Sequence, residues 1–110
     1  MCVKRLFWVG GVLARLRDFP TEARREAGHQ LYQVQLGLEP SDWKPMPSVG
    51  AGVIEIRVHG TGEYRVLYVA RFAEGVYALH AFEKRTRQTQ KADIELARGN
   101  LAEVLRHRQR

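Results

Sequence analysis

The chain has 110 residues, of which 45% are hydrophobic and 27% charged, and it carries a net charge of +6. That length suits one domain, residues 1–110, with a core needing neither metal nor disulfide, and the single cysteine, Cys2, excludes an intrachain disulfide. The positive balance points to a polyanionic partner, nucleic acid ahead of a membrane surface, and no stretch reaches the length of a membrane span.

The excess leans towards the C-terminal half: residues 1–48 hold seven bases and five acids, residues 49–110 eleven and seven. The N-terminus, MCVKRLFWVGGVLARL, places bases before an apolar run as a signal peptide does. Two glycines interrupt that run, and Arg15 and Arg17 follow with no cleavage site, so a cytoplasmic protein is expected.

Lys4 to Val9 is β-prone and closed by Gly10-Gly11. Val12, Leu13 and Leu16 then take helical spacing, and Asp18-Phe19-Pro20 ends that helix and opens a second, with Asp18 as a possible cap. Ala23, Ala27, Leu31, Val34 and Leu38 form one stripe of the second helix. The two helices are expected to form a hairpin laid on a sheet. Residues 37–52, with Pro40, Pro45 and Pro47, read as a loop whose Trp43 folds back against the body. From Val53 the period changes to two: Ile54, Ile56 and Val58 alternate with Glu55, Arg57 and His59. Gly60-Thr61-Gly62 turns the chain into a strand over Tyr64 to Val69, with Arg65, Leu67 and Val69 on one face. Ala73-Glu74-Gly75 turns it again, and Val76 to Phe82 is the third strand of a meander. Ala92 to Leu105 closes as an amphipathic helix, weakened at Gly99 by about 1 kcal/mol relative to alanine, before a frayed basic tail. The fold class is α+β, with the initial strand free to join a sheet edge.

Arg65 lies among apolar neighbours and needs an anion, because a buried unpaired guanidinium is costly. That anion is either a sheet carboxylate (Glu55, Glu63 or Glu83) or a bound phosphate. Lys84 and Arg85 end a strand in a cationic turn that continues through Arg87 to Lys91. They form either a phosphate clamp or a solvated basic edge that discourages sheet-to-sheet pairing. His80 shares a face with Phe82 and Lys84 and is either a hydrogen-bonded core residue or a general base. His29, His59 and His107 are scattered and, with one cysteine, offer no metal site.

The segments LRDFPTEARREAGHQLYQVQLGLEPSDWKPM, GVIEIRV, EYRVLY and VYALHAFEKRTRQTQKADIELA resemble the phage-derived HigB-like branch of the RelE/ParE toxin superfamily. The likeness covers nearly the whole chain, and EIR, YRVLY and HAFEKRT in this order carry it. The resemblance implies a RelE-like fold, with helices on one side of a small twisted, mainly antiparallel sheet. It also implies a ribosome-dependent mRNA endonuclease that uses no metal or cofactor, neutralised by a helix-turn-helix antitoxin from the same operon. In such toxins a ribose 2′-OH attacks its own phosphate, which calls for a base, an acid and cations at phosphorus. Residue by residue, the resemblance implies Arg65 and Arg85 as charge stabilisers, Lys84 as phosphate ligand or acid, and Arg57 facing RNA. Arg87 and Lys91 extend that basic surface. The sequence departs from the best-studied RelE relatives at two places: Thr89-Gln90-Lys91 stands where they carry a tyrosine, and Glu55 where they carry a lysine. The base is therefore open: His80, Glu55 or Glu83, or none of them. A gyrase-inhibiting toxin of the ParE type is the competing reading, and an inactive binding module a third.

Overall fold

The strands over Glu63–Phe72 and Gly75–Lys84 carry buried apolar side chains on both faces and require cover on both, and that requirement organises the molecule. A computed structural model describes residues 3–109, so Cys2 and Arg110 lie outside the described residues. In chain order the elements are β1 (Arg5–Trp8), α1 (Val12–Arg17), α2 (Thr21–Gln35), β2 (Trp43–Pro45), β3 (Val53–His59), β4 (Glu63–Phe72), β5 (Gly75–Lys84) and α3 (Lys91–Arg108). The strands form one mixed sheet in the order β1-β5-β4-β3-β2. β1 runs parallel to β5 and every other pair is antiparallel. The architecture is α+β, and the initial strand does take an edge.

Along β4, Val66, Leu67 and Val69 are fully buried although they point to alternate faces. α1 and α2 cover one face, where Val12, Leu16, Phe19, Ala27 and Leu31 meet Ile56, Val58, Val66 and Val76. α3 covers part of the other, where Ala97, Leu101 and Val104 meet Val53, Leu67, Val69 and Leu79. The implied one-sided arrangement of helices is thus corrected. A one-sided cover would leave Leu67, Val69 and Leu79 in water, at roughly 1.5–3 kcal/mol each.

Four local expectations also change. Residues 43–45, read as loop, form the edge strand β2. Pro45 is tolerated there because an edge residue need not donate to a neighbour. The α2 stripe stops at Gln35, and Leu38 is exposed beyond Gly37, whose φ of 85° ends the helix. Asp18 caps the C-terminus of α1, while Pro20 precedes α2 without a side-chain cap bond. The basic tail continues α3 to Arg108, where the guanidinium lies 3.9 Å from the Phe72 ring centroid and Nε donates to Glu74 at 2.6 Å.

One irregularity bears on the site. The β4–β5 register pairs Leu67 with His80 but Tyr68 with Ala78, so Leu79 is an extra residue. Its carbonyl accepts from Asn100 Nδ2 of α3 at 2.8 Å. The bulge and α3 hold each other in place.

Candidate nucleic-acid interface

The charged alternation of β3 supplies the site. Cross-strand partners point to the same face, and the register sets three successive rows: Lys44–Glu55–Leu67–His80, Arg57–Arg65–Phe82 and His59–Glu63–Lys84. These rows lie on the face that α3 covers. His80 and Leu67 are fully buried in the first row, whereas Lys44, Arg57 and Lys84 remain partly exposed.

Glu55 is the centre of this patch. It has no exposed surface, and its Oε1 is approached by Lys44 Nζ at 3.9 Å, Arg57 Nε at 3.5 Å and Arg65 Nε at 3.7 Å. Its Oε2 accepts from Thr89 Oγ1 at 3.4 Å, which ties the segment between β5 and α3 to the sheet. Arg65 is 6% exposed, and its Nη1 donates to Glu63 Oε1 at 3.1 Å and to the Tyr64 carbonyl at 3.0 Å. Two of the sequence's candidate anions for Arg65, Glu55 and Glu63, are therefore its partners. Glu83 is not.

Among the described residues Lys84 has no ion-pair partner. Burial pushes its pKa below the ordinary lysine value. Glu55 opposes that shift, while Arg65, Lys44 and Arg57 reinforce it. Lys44, Arg57, Arg65 and Lys84 thus share one face with two carboxylates, Glu55 and Glu63, between them. Such a surface can take a phosphate, because each added anion relieves repulsion among the cations.

His80 and Arg85 are not brought to this centre. His80 lies fully buried beneath α3, its Nε2 hydrogen-bonded to Asp93 Oδ1 at 2.8 Å and its ring stacked on Phe82 at 5.1 Å. The bulge and the first turn of α3 place it there, in the position of a hydrogen-bonded core residue and away from Arg65 and Lys84. Burial pushes its pKa below the ordinary histidine value, against the opposing pull of Asp93. As pH falls below 6.5 the unfolded chain gains a proton that the folded chain resists, and the stability contributed by His80 is lost. The stability gap between the parent and His80→Asn is expected to narrow from pH 7 towards pH 5, measured by urea unfolding. A constant gap would contradict this.

Arg85 is exposed and its Nη2 donates to Glu83 Oε1 at 3.1 Å. Glu83 pairs in register with Tyr64, which packs against the α1–α2 side. Arg85 is therefore held towards the opposite face from Arg65, and the expected Arg65–Arg85 pair is not assembled. It does border, with Lys84, Thr86, Gln88 and Asp93, a cleft of about 110 Å³ between β5 and α3. Arg87 and Lys91 lie on the exposed segment beside it, Lys91 pairing with Glu95 at 3.7 Å. The sequence reading missed Lys44, hidden between Pro40 and Pro45, and the tie from Thr89. Among the described residues no group of three or more His, Cys, Asp or Glu is arranged to hold a metal ion, and no helix is long and apolar enough to cross a membrane.

The family described as "Phage derived protein Gp49-like (DUF891)" matches residues 14–102, a span that contains every residue of the Glu55 cluster. No curated protein matches the chain.

Proposed function

The chain belongs to the phage-derived Gp49-like family, which is toxin–antitoxin related, and from that premise we propose that it is the toxin of a type II toxin–antitoxin pair that cuts mRNA on the ribosome. The observation that carries this reading is the gathering of Lys44, Arg57, Arg65 and Lys84 around a buried Glu55. We place it in the HigB-like branch of the RelE/ParE superfamily, acting in the cytoplasm and neutralised by a helix-turn-helix antitoxin.

In the proposed reaction the 2′-oxygen bonds to phosphorus as the bond from phosphorus to the 5′-oxygen breaks. Arg65 and Lys84 take the charge that builds on the phosphate oxygens. Lys84, its proton loosened by burial and neighbouring cations, is suited to protonate the leaving 5′-oxygen. Glu55 is the carboxylate on which Lys44, Arg57 and Arg65 converge and the candidate acceptor of the 2′-proton, once the Thr89 hydroxyl gives way to the ribose hydroxyl. Arg57, Arg87 and Lys91 extend the cationic surface along the RNA, and Arg85 meets it only at the cleft it borders with Lys84.

Induction followed by transcript-end mapping tests the proposal. Cuts at codon positions in translated messages are expected. Intact message with blocked DNA supercoiling would instead support the ParE-type reading, which the anchoring of Arg65 by Glu55 and Glu63 favours and the clustering of cations disfavours.

A further inference from the structure

His59 ends β3 in the same row as Glu63 and Lys84, and its side chain is 57% exposed. Its Nε2 lies 2.6 Å from Asp42 Oδ2, and its Nδ1 lies 2.8 and 2.9 Å from the two oxygens of Glu63. A neutral imidazole carries one N–H, whereas an imidazolium carries two. Carboxylates at both ring nitrogens therefore match the charged form, and loss of the proton sets a nitrogen lone pair against one of them. Glu63 is also the partner of Arg65 Nη1, at 3.1 Å. One carboxylate is shared between a titrating group and the arginine of the RNA-binding face.

We propose that His59 is a positioning residue whose charge sets how firmly Glu63 holds Arg65, and so how readily Arg65 takes a substrate phosphate. This rests on the reading of the cationic face as an RNA site. With His59 charged, Glu63 divides its charge between two cations. With His59 neutral, Glu63 belongs to Arg65 alone and the guanidinium is held back from phosphate.

The local charge follows the same direction. Lys44, Arg57, Arg65 and Lys84 against Asp42, Glu55 and Glu63 leave +1 when His59 is neutral and +2 when it is charged. The groups facing His59 are Asp42 before β2, Arg57 on β3 and Glu63 with Arg65 on β4, with Lys84 of β5 next along the row. Glu22 and Glu26 of α2 line the cavity on its other side. The hydrogen bonds to Asp42 and then Glu63 raise the His59 pKa above 6.5. The histidine's contribution is therefore complete below 6.5 and fades as pH rises through the raised value.

The test is a pH titration of the isotope-labelled chain by NMR, following the His59 ring and the Arg65 guanidinium together. The Arg65 signal is expected to move with the His59 midpoint, to lie flat in His59→Gln, and to follow a lower midpoint in Asp42→Asn. An Arg65 signal that stays flat while His59 titrates overturns the proposal. Binding of a short single-stranded RNA is expected to weaken roughly three- to tenfold over the same interval in the parent, the scale of one phosphate contact, and to stay level in His59→Gln. RNA binding that is equally pH-dependent in His59→Gln also overturns it. If Arg65 follows His59 but RNA is bound at no pH, neither free nor as message on the ribosome, the coupling stands and the RNA reading of the face falls.

Discussion

Cells expressing the Lys84→Ala chain are expected to grow normally, with message cleavage reduced about 100-fold or more, the usual loss when one group stabilising a transition-state charge is removed. The unfolding midpoint should stay close to that of the parent. Lys84 makes no ion pair among the described residues, and its ammonium sits among three other cations, so its removal relieves repulsion and leaves no buried anion unpaired. Arg65→Ala is expected to abolish cleavage as well, but with a loss of stability. Arg65 is 6% exposed and engages Glu55, Glu63 and the Tyr64 carbonyl. The contrast separates function from folding. Full toxicity from a well-expressed Lys84→Ala chain would rule this cationic face out as the cleavage site.

The parts of the site legible in the sequence were those that depend on one strand's alternation. Glu55, Arg57 and His59 share a face because strand geometry allows nothing else, and His80, Phe82 and Lys84 do so for the same reason. Arg85 lies just past the end of β5, where its bond to Glu83 rather than strand parity turns it away from Arg65. The resemblance had carried Arg65, Lys84 and Arg85 together. What no single strand encodes is the register between strands. Arg65 lies opposite Arg57 and Phe82 because of two hairpin turns and two compensating irregularities, one between Val69 and Phe72 and one at Leu79, the latter anchored by Asn100 from near the end of the chain. The burial of His80 depends on α3 lying across the sheet, and Asp93, its partner, is 13 residues away. β2 escaped notice because Pro45 and Pro47 carry a loop's composition, while its strand character comes from pairing with β3.

Glu55→Ala is expected to destabilise the chain by about 3 kcal/mol, the scale measured when one member of a buried charged pair is deleted. Lys44 and Arg57 are partly exposed and can turn to water, so their share of the loss is small. Arg65 cannot turn away. Its Nε is buried with no hydrogen-bond partner and faces Glu55 Oε1 at 3.7 Å, so it depends on that carboxylate for charge compensation. Glu55→Gln keeps the shape and one carbonyl acceptor and should cost less than Glu55→Ala, while removing the proposed proton acceptor. Urea unfolding of Glu55→Ala, Arg65→Ala and the double variant measures the coupling directly. The double variant should lose less than the two single losses added together, because each single change strands a buried charge and the pair of changes removes both. Strict additivity would mean that Glu55 does not hold Arg65, and the arginine's readiness for phosphate would need another source.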